Sequence, residues 1–96
     1  MEIIKKFPFS RLEIEGSSMA PNFAEGERVF VSSFSEVIEG DVAVFQQDSL
    51  KIMKRVHEVN GDKFFVLGDN PNESTDSRTL GWLGKKQLLG KVLFKY

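Results

Sequence analysis

Ninety-six residues suffice for one domain with a single core and little to spare. Hydrophobic residues make up 41% and charged residues 28%, which excludes a disordered chain, and a formal net charge of -1 gives no reason to expect a nucleic-acid partner. The absence of cysteine excludes disulfides, thiol catalysis and cysteine-ligated metal, and no apolar run approaches the roughly 20 residues of a membrane-spanning helix.

Residues 1–10 form a short basic-aromatic lead-in around Lys5, Lys6, Phe7, Pro8 and Phe9. It lacks the apolar stretch of a secretory signal, so the expectation is a soluble, cytoplasmic protein without a transmembrane anchor. A packed terminal segment is its ordinary meaning, with peripheral membrane contact as the alternative. A first strand follows at 12–15, where Leu12 and Ile14 share a face. It breaks into Glu15-Gly16-Ser17-Ser18-Met19-Ala20-Pro21-Asn22, a turn that presents a serine hydroxyl on irregular backbone. By itself such a segment is an ordinary polar turn.

A second strand is expected at Arg28–Ser32, and a single helical turn somewhere in 33–39. Val42, Ala43, Val44 and Phe45 are continuously apolar, which implies a strand buried on both faces. Runs at 50–59 and 63–67 flank Asn60-Gly61, a strong hairpin signal. The segment 68–84 is too long and polar for a plain connection, and loops of that kind are usually functional. One helical turn at 85–89 and a closing strand at 91–96, with Val92 and Phe94 on one face, complete the chain. Short strands between turn signals, with no repeat or linker, argue one mainly β domain over 1–96, a sandwich or barrel-like fold.

A hydroxyl becomes a competent nucleophile only when a neighbouring base takes its proton. His57 is the single histidine, but alternation argues against it. In the run 50–59, Ile52, Lys54 and Val56 share one face, while Met53, Arg55 and His57 share the other. Lys54 is thus the base flanked by apolar neighbours, and burial disfavours its ammonium form. Lowering its pKa from about 10.4 to about 8 costs roughly 3 kcal/mol, which a folded site tolerates. A neutral lysine needs a partner to aim its lone pair, and Ser74 can supply one; Asp76 and Arg78 can pair to brace the loop. A calcium loop is not supported, because Pro71 and Glu73 stand where Asp or Asn is required. The segment from Gly81 to Lys86 lacks the spacing of a phosphate loop. No metal or other cofactor is expected.

Four segments in order, "GSSMAP", "GDVAVF", "KRV" and "GDNPNESTDSR", resemble the Ser/Lys signal-peptidase superfamily, which includes the LexA-like autoproteases. The resemblance implies that superfamily's coiled, β-barrel-like fold. It also implies Ser18 as nucleophile and not Ser17, Lys54 as general base, Ser74 as the hydroxyl orienting the lysine, and Asp69, Asp76 and Arg78 as supports. Bacterial signal peptidases carry an oxyanion-binding serine two residues before the nucleophile, where this chain has Gly16. Backbone N–H groups of Ser17 and Ser18 are therefore expected to meet the oxyanion, a difference in kind because one such donor is worth ~3 kcal/mol.

The implied activity is a serine endopeptidase acting on an extended segment of a protein precursor. Pro71, where signal peptidases usually have arginine, makes the loop similar to that of nickel-type superoxide dismutase maturation proteases. The alternatives are signal peptidase I-like processing and a non-catalytic β-domain that binds peptides by strand addition. An autoproteolytic repressor fits poorly, since the 17 residues before Ser18 cannot hold a DNA-binding helical domain.

Overall fold

In the computed structural model, which describes residues 9–96, seven strands form one antiparallel sheet. They are β1 (Phe9–Glu13), β2 (Arg28–Ser32), β3 (Val42–Gln47), β4 (Leu50–Asn60), β5 (Lys63–Leu67), β6 (Leu83–Gly84) and β7 (Leu88–Lys95). Their order across the sheet is β1-β2-β7-β3-β4-β5-β6, so the last strand in sequence lies between β2 and β3. Among the described residues, helix is confined to α1 (Ser77–Leu80) and two 3-10 turns, Pro71–Glu73 and Lys85–Gln87. The protein is mainly β, as the turn-punctuated pattern implies.

All four residues from Val42 to Phe45 are buried, and the alternation splits them between two cores. Ala43 and Phe45 join Val56, Phe64, Val66 and Leu83 on one face. Val42 and Val44 join Met19, Val29, Val31 and Val92 on the other. An antiparallel sheet normally leaves one face wet; covering both requires the sheet to coil back over itself. Phe45 is wholly enclosed and packs on Phe64 at 5.7 Å between ring centroids. Truncating such a ring costs about 3–5 kcal/mol, a large share of a small domain's stability.

Several expectations change in detail. Of the lead-in, residues 1–8 lie outside the described residues, while Phe9 and Ser10 already belong to β1, paired with Ser32 and Val31. Phe9 sits there because its ring meets Phe30 at 5.5 Å. The 33–39 segment makes no helical turn; its end is held by the Ile38 N–H donating to Asp41 and the Gly40 N–H donating to the Val56 carbonyl. The hairpin turn falls one residue later than Asn60-Gly61. Asn60 and Lys63 pair, and Gly61 takes φ 59° at the first central position, as a type II′ turn demands. Val92 and Phe94 do not share a face. A bulge between the pairs Val31–Val92 and Phe30–Phe94 inserts Leu93, which sends Val92 to the core and stacks Phe94 on Phe30 outside.

Candidate active site

The β1–β2 pairing continues past the strand ends. The Ile14 N–H donates to the Glu27 carbonyl at 2.8 Å, and the Gly26 N–H donates to the Ile14 carbonyl at 2.8 Å. From this closed neck the chain swings out through Gly16, whose φ of 79° is one a serine rarely adopts. That backbone is a physical reason for glycine where the resembling enzymes carry serine. The turn is then pinned by Met19, which is 2% exposed within the second core cluster and whose Sδ accepts the Asp69 N–H at 3.4 Å. Between the glycine and this anchor stand exposed Ser17 and half-buried Ser18.

Lys54 comes from regular structure. It sits on β4 opposite Ala43, between Ile52 and Val56 on the first core's face, and is only 5% exposed. Its Nζ donates to Ser74 Oγ at 3.2 Å, and Ser74 Oγ donates to Asp76 at 2.8 Å. The direction of this relay matters. With its proton committed to a carboxylate, Ser74 can only accept from the lysine, so an N–H is used there and the lone pair of a neutral amine points elsewhere. Burial lowers the Lys54 pKa and nearby Arg78 adds to this, against the opposing pull of Asp76.

Asp76 is wholly buried and is the hub of the loop. Burial alone would raise its pKa. Hydrogen bonds from Arg78, the Gly68 N–H at 2.9 Å and Ser74 outweigh that and hold it well below the carboxylate range. The same aspartate caps α1 by accepting the Arg78 N–H. Asp69 stands one layer out, bonded by Arg55 through Nε and a terminal guanidinium nitrogen, both at 2.8 Å, and by Asn22 at 2.9 Å.

Gly68 is where the two halves meet. A Cβ there would lie 2.7 Å from the Ser18 carbonyl oxygen and would collide with Ser74. Ser18 and Lys54 both line one cleft of about 490 Å³, with Leu12, Ile14 and Met53 along its walls. Strands β1 and β4 stand four places apart across the sheet yet wall the same cleft, so the sheet is strongly coiled. His57 is outside it, exposed at a bulge of β4 with its ring 6.4 Å from Phe65. Among the described residues, no group of three or more His, Cys, Asp or Glu is placed to hold a metal ion. Alternation and loop chemistry single out Lys54, Ser74 and Asp76, but not Asn22, Arg55, Gly68 or Asn70. Arg55 had a signal, its place beside a buried lysine on the opposite face. Asn22 and Asn70 had none, since their partners are 47 and 53 residues away.

The chain matches the Peptidase S24-like family over residues 6–93. A signal peptidase I of Bacillus amyloliquefaciens is 25% identical over 98% of this chain and 77% of its own length. Signal peptidase I T of Bacillus subtilis (strain 168) is 26% identical over the same shares. A signal peptidase I of Buchnera aphidicola subsp. Baizongia pistaciae is 56% identical over 32 residues, 33% of this chain and 10% of its own. The two Bacillus alignments run over 148 positions against a chain of 96 residues, so those enzymes carry segments with no counterpart here. Among the described residues, no helix is long and apolar enough to cross a membrane.

Proposed function

The chain belongs to the Peptidase S24-like family, and from that premise we propose that it is a serine endopeptidase with Ser18 as nucleophile and Lys54 as general base. The observation that carries this is a buried lysine, its pKa lowered by burial, sharing a cleft with Ser18 while a serine bonded to a carboxylate fixes one of its N–H groups. Ser18 Oγ attacks the scissile carbonyl carbon as its proton passes to Lys54 Nζ. The oxyanion is met by backbone N–H groups of the 17–18 turn. Collapse breaks the C–N bond, and the Lys54 ammonium returns the proton to the leaving amine. Water, giving a proton to the same amine, then adds to the acyl carbon; collapse breaks the C–Oγ bond, the Lys54 ammonium returns that proton to Ser18 Oγ, and the product leaves as a carboxylate. Asp76 and Arg78 hold Ser74, and Asp69 with Arg55 holds the loop's start.

The substrate we assign is a leader-bearing precursor of nickel-type superoxide dismutase. Support lies in the loop: Pro71 opens a 3-10 turn where signal peptidases usually have arginine, and its carbonyl accepts from Arg78 at 3.0 Å. In that dismutase the mature N-terminal amine and first histidine are metal ligands, so removing a leader creates the site. The test is mass spectrometry of the leader-bearing precursor after incubation with wild type, Ser18→Ala, Lys54→Arg and His57→Ala. Wild type and His57→Ala should release a chain beginning with histidine, and the other two should not, because a guanidinium does not become a neutral base. Cleavage of an Ala-X-Ala signal peptide but not of this precursor moves the reading to signal-peptidase-like processing. Binding of both peptides without cleavage moves it to a peptide-binding β-domain.

A further inference from the structure

Asn70 occupies the N-cap position of the 3-10 turn Pro71–Glu73, yet its side chain does not cap that turn. Asparagine at such a position ordinarily bonds its own helix. Here Nδ2 crosses to the Ser17 carbonyl at 3.0 Å, and the Asn70 N–H donates to the Ser18 carbonyl at 2.9 Å. One residue therefore grips two successive peptide planes around Ser18. The only cis peptide among the described residues is Ala20–Pro21, so both of these are trans. In a trans peptide the N–H is antiparallel to the carbonyl before it. Fixing the Ser17 and Ser18 carbonyls toward Asn70 turns the N–H groups of Ser18 and Met19 the opposite way. Ser18 and Met19 line the cleft and Asn70 does not. Neither of these N–H groups donates to any acceptor among the described residues.

We infer that Asn70 is a positioning residue for the oxyanion donors: its amide holds the Ser17–Ser18 plane so that the Ser18 N–H is preset toward the cleft. This rests on the assignment of Ser18 as nucleophile. It also accounts for how the site manages without a side-chain donor at Gly16. A flexible turn must reorient its N–H as the oxyanion forms, whereas a clamped one need not. The Ser17 carbonyl keeps a second bond from the Ala20 N–H at 3.1 Å, so losing the amide loosens the plane without freeing it.

The test compares Asn70→Ala and Asn70→Asp with wild type on whichever precursor is cleaved, reading kcat, KM, thermal midpoint and affinity for a peptide boronic acid of the same sequence. Expected is a fall in kcat of about tenfold for Asn70→Ala with KM unchanged, and an equal fall in boronate affinity. Asn70→Asp, nearly the same shape but facing the Ser17 carbonyl with an acceptor, should fall further; this comparison survives if the alanine variant folds poorly. Unchanged kcat and boronate affinity, beside an inactive Ser18→Ala, would overturn the role of Asn70 alone. So would a loss that follows the thermal midpoint with boronate affinity intact in the folded fraction. An active Ser18→Ala would overturn the nucleophile assignment first, and this inference with it.

Discussion

Lys54 and Ser18 face one cleft but are held there by different physics. The lysine stands on a strand, laddered to β3 at Ala43 and, from Arg55 onward, to β5, with Ala43, Ile52 and Val56 on its own face. The serine stands on a turn with no ladder of its own, fixed by one buried methionine and by hydrogen bonds from a loop about fifty residues further along the chain. The proposed base is thus tuned by what the core excludes, and the proposed nucleophile is aimed by what the loop supplies. Packing defects should damage the first through its pKa, and loop defects the second through its geometry.

The sharpest way to break that division is Gly68, which touches both sides. Gly68→Ala should reduce kcat/KM by at least about 100-fold, since the new methyl intrudes on the Ser18 carbonyl and on Ser74 together. Full activity in a folded Gly68→Ala protein would show the halves to be independent.

Next is the lysine's orientation. In the wild type kcat/KM should rise with pH through an apparent pKa below the ordinary lysine value of 10.5, because the neutral amine is the active form. Ser74→Ala should lower the plateau about tenfold while leaving the Ser18 turn intact, as judged by unchanged boronate affinity per active site. A pH dependence and an activity both lost in His57→Ala would assign the base to histidine.

A smaller effect separates stability from function. The folded-state pKa of Lys54 is depressed, so the folded protein binds this proton less tightly than the unfolded chain. The resulting penalty is full below the folded pKa, shrinks as pH rises, and vanishes above 10.5, where the amine is neutral in both states. Lys54→Met should therefore stabilise the protein at neutral pH by on the order of 1 kcal/mol while abolishing cleavage, and the gain should fade toward pH 10.5. Denaturant titrations at pH 7 and pH 10 check the sign. Smallest of all, Asn22→Ala removes one exposed bond to Asp69 and should change stability by less than about 1 kcal/mol, because Arg55 still holds that carboxylate.

The same contrast explains what the amino-acid sequence made legible. Alternation is a local property, so the two-faced burial of β3, the face of Lys54 and the strand at Arg28–Ser32 could all be inferred from neighbours. The Asp76–Arg78 pair was legible for the same reason, being two residues apart. The bulge at Leu93 was not, since an inserted residue leaves no mark on composition and reverses every facing beyond it. Nor was the Asn70 clamp, because an asparagine before a proline looks like turn chemistry until its distant partner is known. Family resemblance supplied Asp69 and the choice of Ser18 over Ser17, which spacing alone left open.

The place of β7 between β2 and β3 bears on how the protein comes into being. Until those residues emerge, the β1–β2 pair that frames Ser18 and the β3–β6 strands that carry Lys54 have no ladder joining them. During synthesis from the N-terminus, the first of these can form early and the second can follow as a run of neighbours, but the sheet that unites them waits for its seventh strand. A nascent chain that lacks β7 thus holds Ser18 and Lys54 on strands that no common ladder joins. Proteolytic competence would then wait for β7, sparing the unfinished chain and its neighbours from attack.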